Sequence, residues 1–407
     1  MRILVTSTLY PPAALGGYEV ECSAVVERLR ERHEVLVLAG DRGRAETAPS
    51  AGISRTLPLL SADERGSLLA PVASLRAVRL ARAALAQRPD LVYAWNGAAF
   101  PQAALRVLAD AGVPIAFRVC EHWFGRLFET DQYLRELAPA QRGPARAAWS
   151  LACRAVNALP ELRLDPAARF PAAISWNSEA IKRMAGVPAV VEPVLERVCH
   201  SVPRFGDRYD GIPRDPAPVP EIVFLGRVTP VKGVDVAIEA LALLERDHGT
   251  AARLVVAGPE DAEHGRELRG LAERLGVAAR VEWLGQIGPE RIVEALGRAH
   301  ALIVPSTWEE PFPLVTIEGA LARVPLVASD VGGIGEGMHD EEHALLFEGG
   351  DAAGAAAALA RTLAAPGETT ARVERAYERA QRFRLGPYLD AQERFVEEAF
   401  ERLTAMP

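Results

Sequence analysis

Two pairs of charged residues at set spacings could do chemistry: Arg227 and Lys232 in "RVTPVKG", and Glu310 and Glu318 in "EEPFPLVTIEG". An arginine offers a planar fork of donors and a lysine a compact point charge, so both on one turn form a clamp for a diphosphate. Lys232 is one of only two lysines among 46 basic residues, which sets it apart from an ordinary solvated loop cation. Glu310 lies in a loop, and Glu318 stands about one turn into a helix that begins near Pro313 or Leu314. Between them the free N–H groups of Leu314 and Val315 leave the helix start without intrahelical partners. One carboxylate for sugar hydroxyls, amides for phosphate and a second carboxylate for ribose match the parts of a nucleotide-sugar, in order. The alternative is that both acids merely favour the positive end of the helix dipole.

A third feature follows the first apolar run. In "TSTLYPPAALGGYEV", Gly16 and Gly17 immediately precede a helical pattern. Glycines there let backbone approach a ligand and leave helix N-terminal amides facing an anion. The later "GGIGEG" lacks the G-x-G-x-x-G spacing and reads as a turn-forming glycine cluster.

These loops need strands to hold them. Short β-branched runs alternate with longer helical patterns, the signature of βαβ units and parallel sheets. "RILVTST", "HEVLVLA", "DLVYAW", "VPIAFRV" and "AAISWN" form one series. "EIVFLG", "ARLVVAG", "RVEWLG", "ALIVPS" and "PLVAS" form a second, after the Pro/Gly/Asp-rich stretch 203–220, which reads as a linker. The predicted fold class is α/β: two doubly wound, Rossmann-like domains over 1–205 and 206–386, then a C-terminal helix over 387–407 opening at Pro387. Ligands in such folds bind beyond the carboxyl ends of the strands, which is where the charged loops fall.

Composition narrows the classes. Half of the residues, 49%, are apolar, enough for full cores and against disorder. No apolar run reaches the roughly 20 residues that cross a bilayer, and "MRILVTSTLYPP" reads as a buried strand rather than a secretory signal. Four scattered cysteines suggest neither a disulfide framework nor a zinc site, so a reducing cytoplasm is expected. Residues 1–205 carry 25 basic and 20 acidic side chains (net +5), and residues 206–407 carry 21 and 34 (net −13). The acidic second half argues against a nucleic-acid partner. Arg76, Arg79 and Arg82 along one helix side suggest weak peripheral contact with anionic lipid at the inner membrane face, or with a phosphorylated acceptor.

Glu310…Glu318 at E-x7-E, Arg227…Lys232 at R-x4-K, the Gly-Gly loop after the first strand and "PLVASDVGGIGE" resemble the retaining glycosyltransferases of family 4, with the GT-B fold. The resemblance is strong over about 221–348 and looser in the first half. It implies that the two Rossmann-like domains face each other across a cleft, the second binding a nucleotide diphosphate sugar, UDP- or GDP-linked, and the first an acceptor. It also implies that the last helix crosses back to the first domain, and that neither metal nor cofactor is required. Carried over by residue, Arg227 and Lys232 bind the diphosphate, Glu310 the sugar hydroxyls and Glu318 the ribose, with Gly17 beside the phosphates. A cleft histidine of the family aligns with "RVCEHWFG", at Cys120 or at His122, the latter a candidate for the acceptor side of the reaction. The family's Asn-Gly turn before the linker is replaced by "VEPVLERV". The implied activity is transfer of a hexosyl group, with retention of configuration, to a glycan, lipid-linked or small-molecule acceptor. A sugar-nucleotide epimerase of the same fold and a non-catalytic nucleotide-sugar binder are the competing readings.

Overall fold

The computed structural model describes residues 1–13, 17–41, 52–60, 70–137, 144–159 and 162–406. It divides into two compact units: Met1–Cys199 with Tyr388–Pro407, and His200–Pro387. In the first, the described residues form a parallel seven-stranded sheet of β1 (Arg2–Ser7), β2 (Glu34–Asp41), β3 (Ile53–Pro58), β4 (Leu91–Ala94), β5 (Ile115–Val119), β6 (Phe170–Trp176) and β7 (Val191–Val198), in spatial order β3-β2-β1-β4-β5-β6-β7. In the second, β8 (Glu221–Leu225), β9 (Arg253–Ala257), β10 (Val281–Gly285), β11 (Ala301–Val304), β12 (Leu326–Ser329) and β13 (Leu345–Phe347) are ordered β10-β9-β8-β11-β12-β13, again parallel. Both sheets are the α/β doubly wound arrangement expected from the alternating pattern.

The central strands β4, β5, β11 and β12 are buried at every position. This is why they read as unbroken apolar runs, since helices cover both faces of a parallel sheet. The strands that the pattern leaves out, β3, β7 and β13, are all sheet edges. "VEPVLERV", read as a replaced turn, is the edge strand β7, and with only Val191 and Leu195 buried it gives no continuous apolar run. In the stretch 120–170 the described helices are separate pieces: a 3₁₀ turn over His122–Arg126 and helices Gln132–Leu137 and Pro144–Asn157.

The stretch 203–220 is also more than a linker, because it packs onto the second unit. Tyr209 is buried and Gly206 lies against Leu321. The Arg214 guanidinium donates to the carbonyls of Leu296, Gly297 and Ala299, and Arg384 pairs with Asp207 and Asp210. Pro and Gly set its turns, but these hydrogen bonds fasten it. The terminal helix Leu385–Thr404 contributes to the first unit from Tyr388 onward: Tyr93 Oη donates to Gln392 at 2.6 Å, and Arg28 pairs with Asp390 at 2.9 Å and Glu393 at 3.1 Å.

Candidate active site

The second unit's sheet reverses its winding between β8 and β11, and the loops leaving both strands stand side by side at that switch. Backbone hydrogen bonds stitch four strand-end loops together in the order of their strands. Val228 N donates to Pro259 O after β9 (2.9 Å), Thr307 N after β11 to Val231 O after β8 (3.0 Å), and Gly333 N after β12 to Glu310 O (2.7 Å). Gly233, at φ +67°, ends the first of these loops so close to Pro305 that a Cβ would lie 2.8 Å from its carbonyl carbon. Gly332, at φ +58°, has the same relation to the Glu310 loop, where a Cβ would stand 2.5 Å from Glu310 N. The glycine cluster read as turn-forming does turn the chain, and it also admits the close backbone approach that seats Glu310.

On this platform Lys232 Nζ lies 2.6 Å from Glu310 Oε1, and Ser306 Oγ donates to the same oxygen at 2.5 Å. Glu310 is only 3% exposed. The two residues read from the sequence as separate contacts to one ligand are therefore also partners of each other, since a buried carboxylate needs a neighbouring cation and a donor. The ammonium has three donors, so one bond to Glu310 leaves two. Arg227 is exposed and its guanidinium has no partner among the described residues. Lys232 also sits 6.0 Å from the centre of the Trp308 ring.

The helix Leu314–Leu321 begins directly after this loop, with Pro313 in extended conformation before it and no side chain capping its first amides. Proline, without a side-chain acceptor, leaves the Leu314 and Val315 N–H groups uncapped by side chains. Glu318 follows one turn on. Its carboxylate is partly buried and meets no hydrogen-bond partner among the described residues, and burial pushes its pKa up to about 7. Tyr209 is held protonated first by its own burial and then by the Glu318 charge beside it.

An acid whose pKa in the fold lies above its usual 4.5 favours the fold fully only below that usual value, and the benefit is lost as pH rises through about 7. Glu318→Gln removes the loss. The variant's melting temperature will match the wild type near pH 4 and exceed it by a few degrees at pH 8, a gain on the order of 2 kcal/mol. Equal shifts at both pH values would show that Glu318 is not held neutral.

In the first unit the winding reverses between β1 and β4. Thr8 Oγ1 after β1 donates to Asn96 O after β4 at 3.0 Å, and the Tyr18 and Trp95 rings meet edge-on at 5.6 Å. Gly17 is the exposed first residue of helix Gly17–Leu29, at this switch, whereas Gly16 lies outside the described residues. His122 is exposed and opens the 3₁₀ turn that leaves β5. Sequence reasoning missed Ser306, the seating role of Gly332, and Arg118, a fully buried guanidinium inside β5. Arg118 did leave a signal: one arginine in the otherwise apolar run "IAFRV".

The pattern described as "Glycosyl transferases group 1" matches residues 210–380, the portion that carries both charged pairs. Residues 210–380 are a group 1 glycosyl transferase domain. Among curated relatives, the D-inositol 3-phosphate glycosyltransferase of Nocardia farcinica is 40% identical over 148 residues, covering 35% of this chain and 33% of the relative. That of Acidothermus cellulolyticus is 36% identical over 223 residues, covering 51% and 48%. The chain thus spans between a third and a half of the curated relatives it matches. Whole-chain likeness appears in solved structures. Sucrose-phosphate synthase from Thermosynechococcus elongatus superimposes with TM-score 0.70 at 20% identity, covering 98% of this chain and 99% of that one. Anabaena HepE, solved with UDP-glucose, gives TM-score 0.65 at 20% identity over 100% of both chains. At such identities the likeness shows the fold. Group 1 glycosyl transferase domain and all, the chain has the GT-B fold.

Proposed function

We propose that this protein is a retaining hexosyltransferase that moves a sugar from a nucleotide diphosphate donor to an acceptor hydroxyl. The observation that carries the reading is the junction of the β8 and β11 loops, where the R-x4-K cation Lys232 meets the E-x7-E acid Glu310 at 2.6 Å. One small ligand can touch both loops. Arg227 and the two remaining Lys232 donors would hold the diphosphate, together with the Leu314 and Val315 amides. Glu310 keeps Lys232 aimed while its second oxygen takes sugar hydroxyls, and Glu318 takes the ribose hydroxyls. As the nucleotide leaves, negative charge grows on its β-phosphate, and cations already in place stabilise that charge without reorganising. The names of the relatives support this, as does the solved HepE complex with UDP-glucose.

On the first unit, Gly17 would lie beside the phosphates and His122 would serve the acceptor. The acceptor is a glycan, lipid-linked or small hydroxyl compound, and the reading needs no resident metal or cofactor. A cytoplasmic protein of this kind would touch anionic lipid weakly through Arg76, Arg79 and Arg82. All three are exposed on helix Ala70–Leu85, opposite the buried Ala77, Val78, Ala81 and Ala84. Among the described residues no helix is long and apolar enough to cross a membrane.

A thermal-shift panel of nucleotides and nucleotide-sugars with chelator present tests the donor. One UDP- or GDP-linked sugar will raise the melting temperature, without metal, more than its free nucleotide does. No stabilisation by any of them would overturn the reading. Pelleting with anionic vesicles at low salt, lost at high salt, is the matching result for the lipid contact, and no pelleting at low salt would retire it.

A further inference from the structure

The chain passes between its two units twice, at Cys199–His200 and at Pro387–Tyr388. Both crossings are tied, on the first unit's side, to one residue. Arg118 Nη1 donates to Cys199 O at 2.7 Å, and to Trp176 O and Ser175 Oγ at 3.1 Å each. Its Nη2 donates to Glu21 Oε1 at 2.9 Å. The hydroxyl of Tyr388, the first residue after the return crossing, donates to that same Glu21 oxygen, and its ring lies 5.6 Å from the guanidinium. Glu21 is one turn into the helix that starts at Gly17, and Tyr18 of that helix donates to the Arg118 carbonyl at 2.7 Å. Four residues after Arg118 in the chain stands His122, which opens the turn that leaves this strand end.

A buried guanidinium is an expensive way to hold a fold together, because hydrophobic side chains of the same volume often serve as well. What a hydrophobic group cannot do is bind five groups on four different elements with set directions. From this we infer that Arg118, with Glu21 and Tyr388, is a positioning residue that holds both crossings in register with the loops bearing Gly17 and His122. The inference rests on the transferase reading above.

The test uses the full-length chain with Arg118→Lys, which keeps the charge but not the fork, and Tyr388→Phe, which removes only the hydroxyl. UDP release from UDP-glucose, or from whichever donor the thermal-shift panel selects, is followed at saturating donor. Hydrogen exchange is followed at 17–22, 119–126, 195–199 and 385–392. Arg118→Lys will lower kcat about tenfold and Tyr388→Phe about threefold, with the donor KM within about twofold of wild type in both, because the charged donor contacts, Arg227, Lys232, Glu310 and Glu318, belong to the other unit. Exchange will rise at all four segments together. A lower melting temperature with unchanged kcat, or exchange that rises only around residue 118, overturns the inference and leaves Arg118 a structural residue. A wild-type chain that releases UDP from no donor sinks the transferase reading instead, and the exchange pattern then decides the anchor by itself.

Discussion

Lys232→Ala will cut the rate of transfer at saturating donor by about 100- to 1,000-fold, the size of effect expected when one preplaced group is removed from developing charge. The loss has two sources. The β-phosphate of the departing nucleotide loses a nearby cation, and Glu310, 3% exposed, keeps only Ser306 as a side-chain partner among the described residues. A buried carboxylate without its cation takes up a proton or draws in water, and either change disturbs the sugar contacts assigned to it. For the same reason Lys232→Ala and Glu310→Gln will not add: the double variant will be about as slow as the slower single one. Steady-state release of the nucleotide for the four proteins of this cycle is the measurement. Fully additive losses would mean that the 2.6 Å pair has no common task.

Gly233→Ala will destabilise the second unit by about 3 kcal/mol or more. About 1–2 kcal/mol follows from placing a Cβ on a left-handed backbone, at φ +67°. The remainder follows from the carbonyl of Pro305, against which the new methyl would be driven, and backbone cannot swing away as a side-chain tip does. Relief requires the β8 and β11 loops to separate, so Lys232 and Glu310 must part and donor affinity must fall with stability. Gly249 supplies the control. It closes helix Val234–His248 at φ +65° with nothing within 4 Å of its would-be Cβ. Gly249→Ala will therefore cost only the backbone part, about 1–2 kcal/mol, and leave donor binding untouched. Equal losses in the two variants, read by urea unfolding and donor titration, would show that the loop contact contributes nothing.

Much of this could be read before any coordinates, and for stated reasons. Helices cover both faces of a parallel sheet, so "IAFRV", "ALIV" and "LVAS" advertise their burial by composition, and the alternation with helical patterns follows. The edges β3 and β7 do not, because each is half open and mixes polar with apolar residues, and the edge β13 is only three residues long. The stretch 203–220 misleads for a related reason. Its prolines and glycines report where the chain turns, whereas its anchors, Arg214 on three carbonyls and Arg384 on Asp207 and Asp210, involve partners more than 80 residues away.

Local sequence thus determined the residue types that stand at the strand ends: an arginine and a lysine after β8, two acids around a helix start after β11, glycines after β1 and β12. Spacing along the chain is a local property, and helix and turn geometry convert it directly into placement. Which loops become neighbours is not local. Only the strand order, with β11 laid beside β8, makes partners of Lys232 and Glu310 across 78 residues, and leaves Glu318 without a hydrogen-bond partner among the described residues. Only the path of the chain, out at Cys199 and back at Tyr388, brings both crossings to the single arginine in β5. Hydrogen bonds and ion pairs depend on distances of a few ångströms, and those distances are set by how strands and helices pack, long after composition has settled what they are made of.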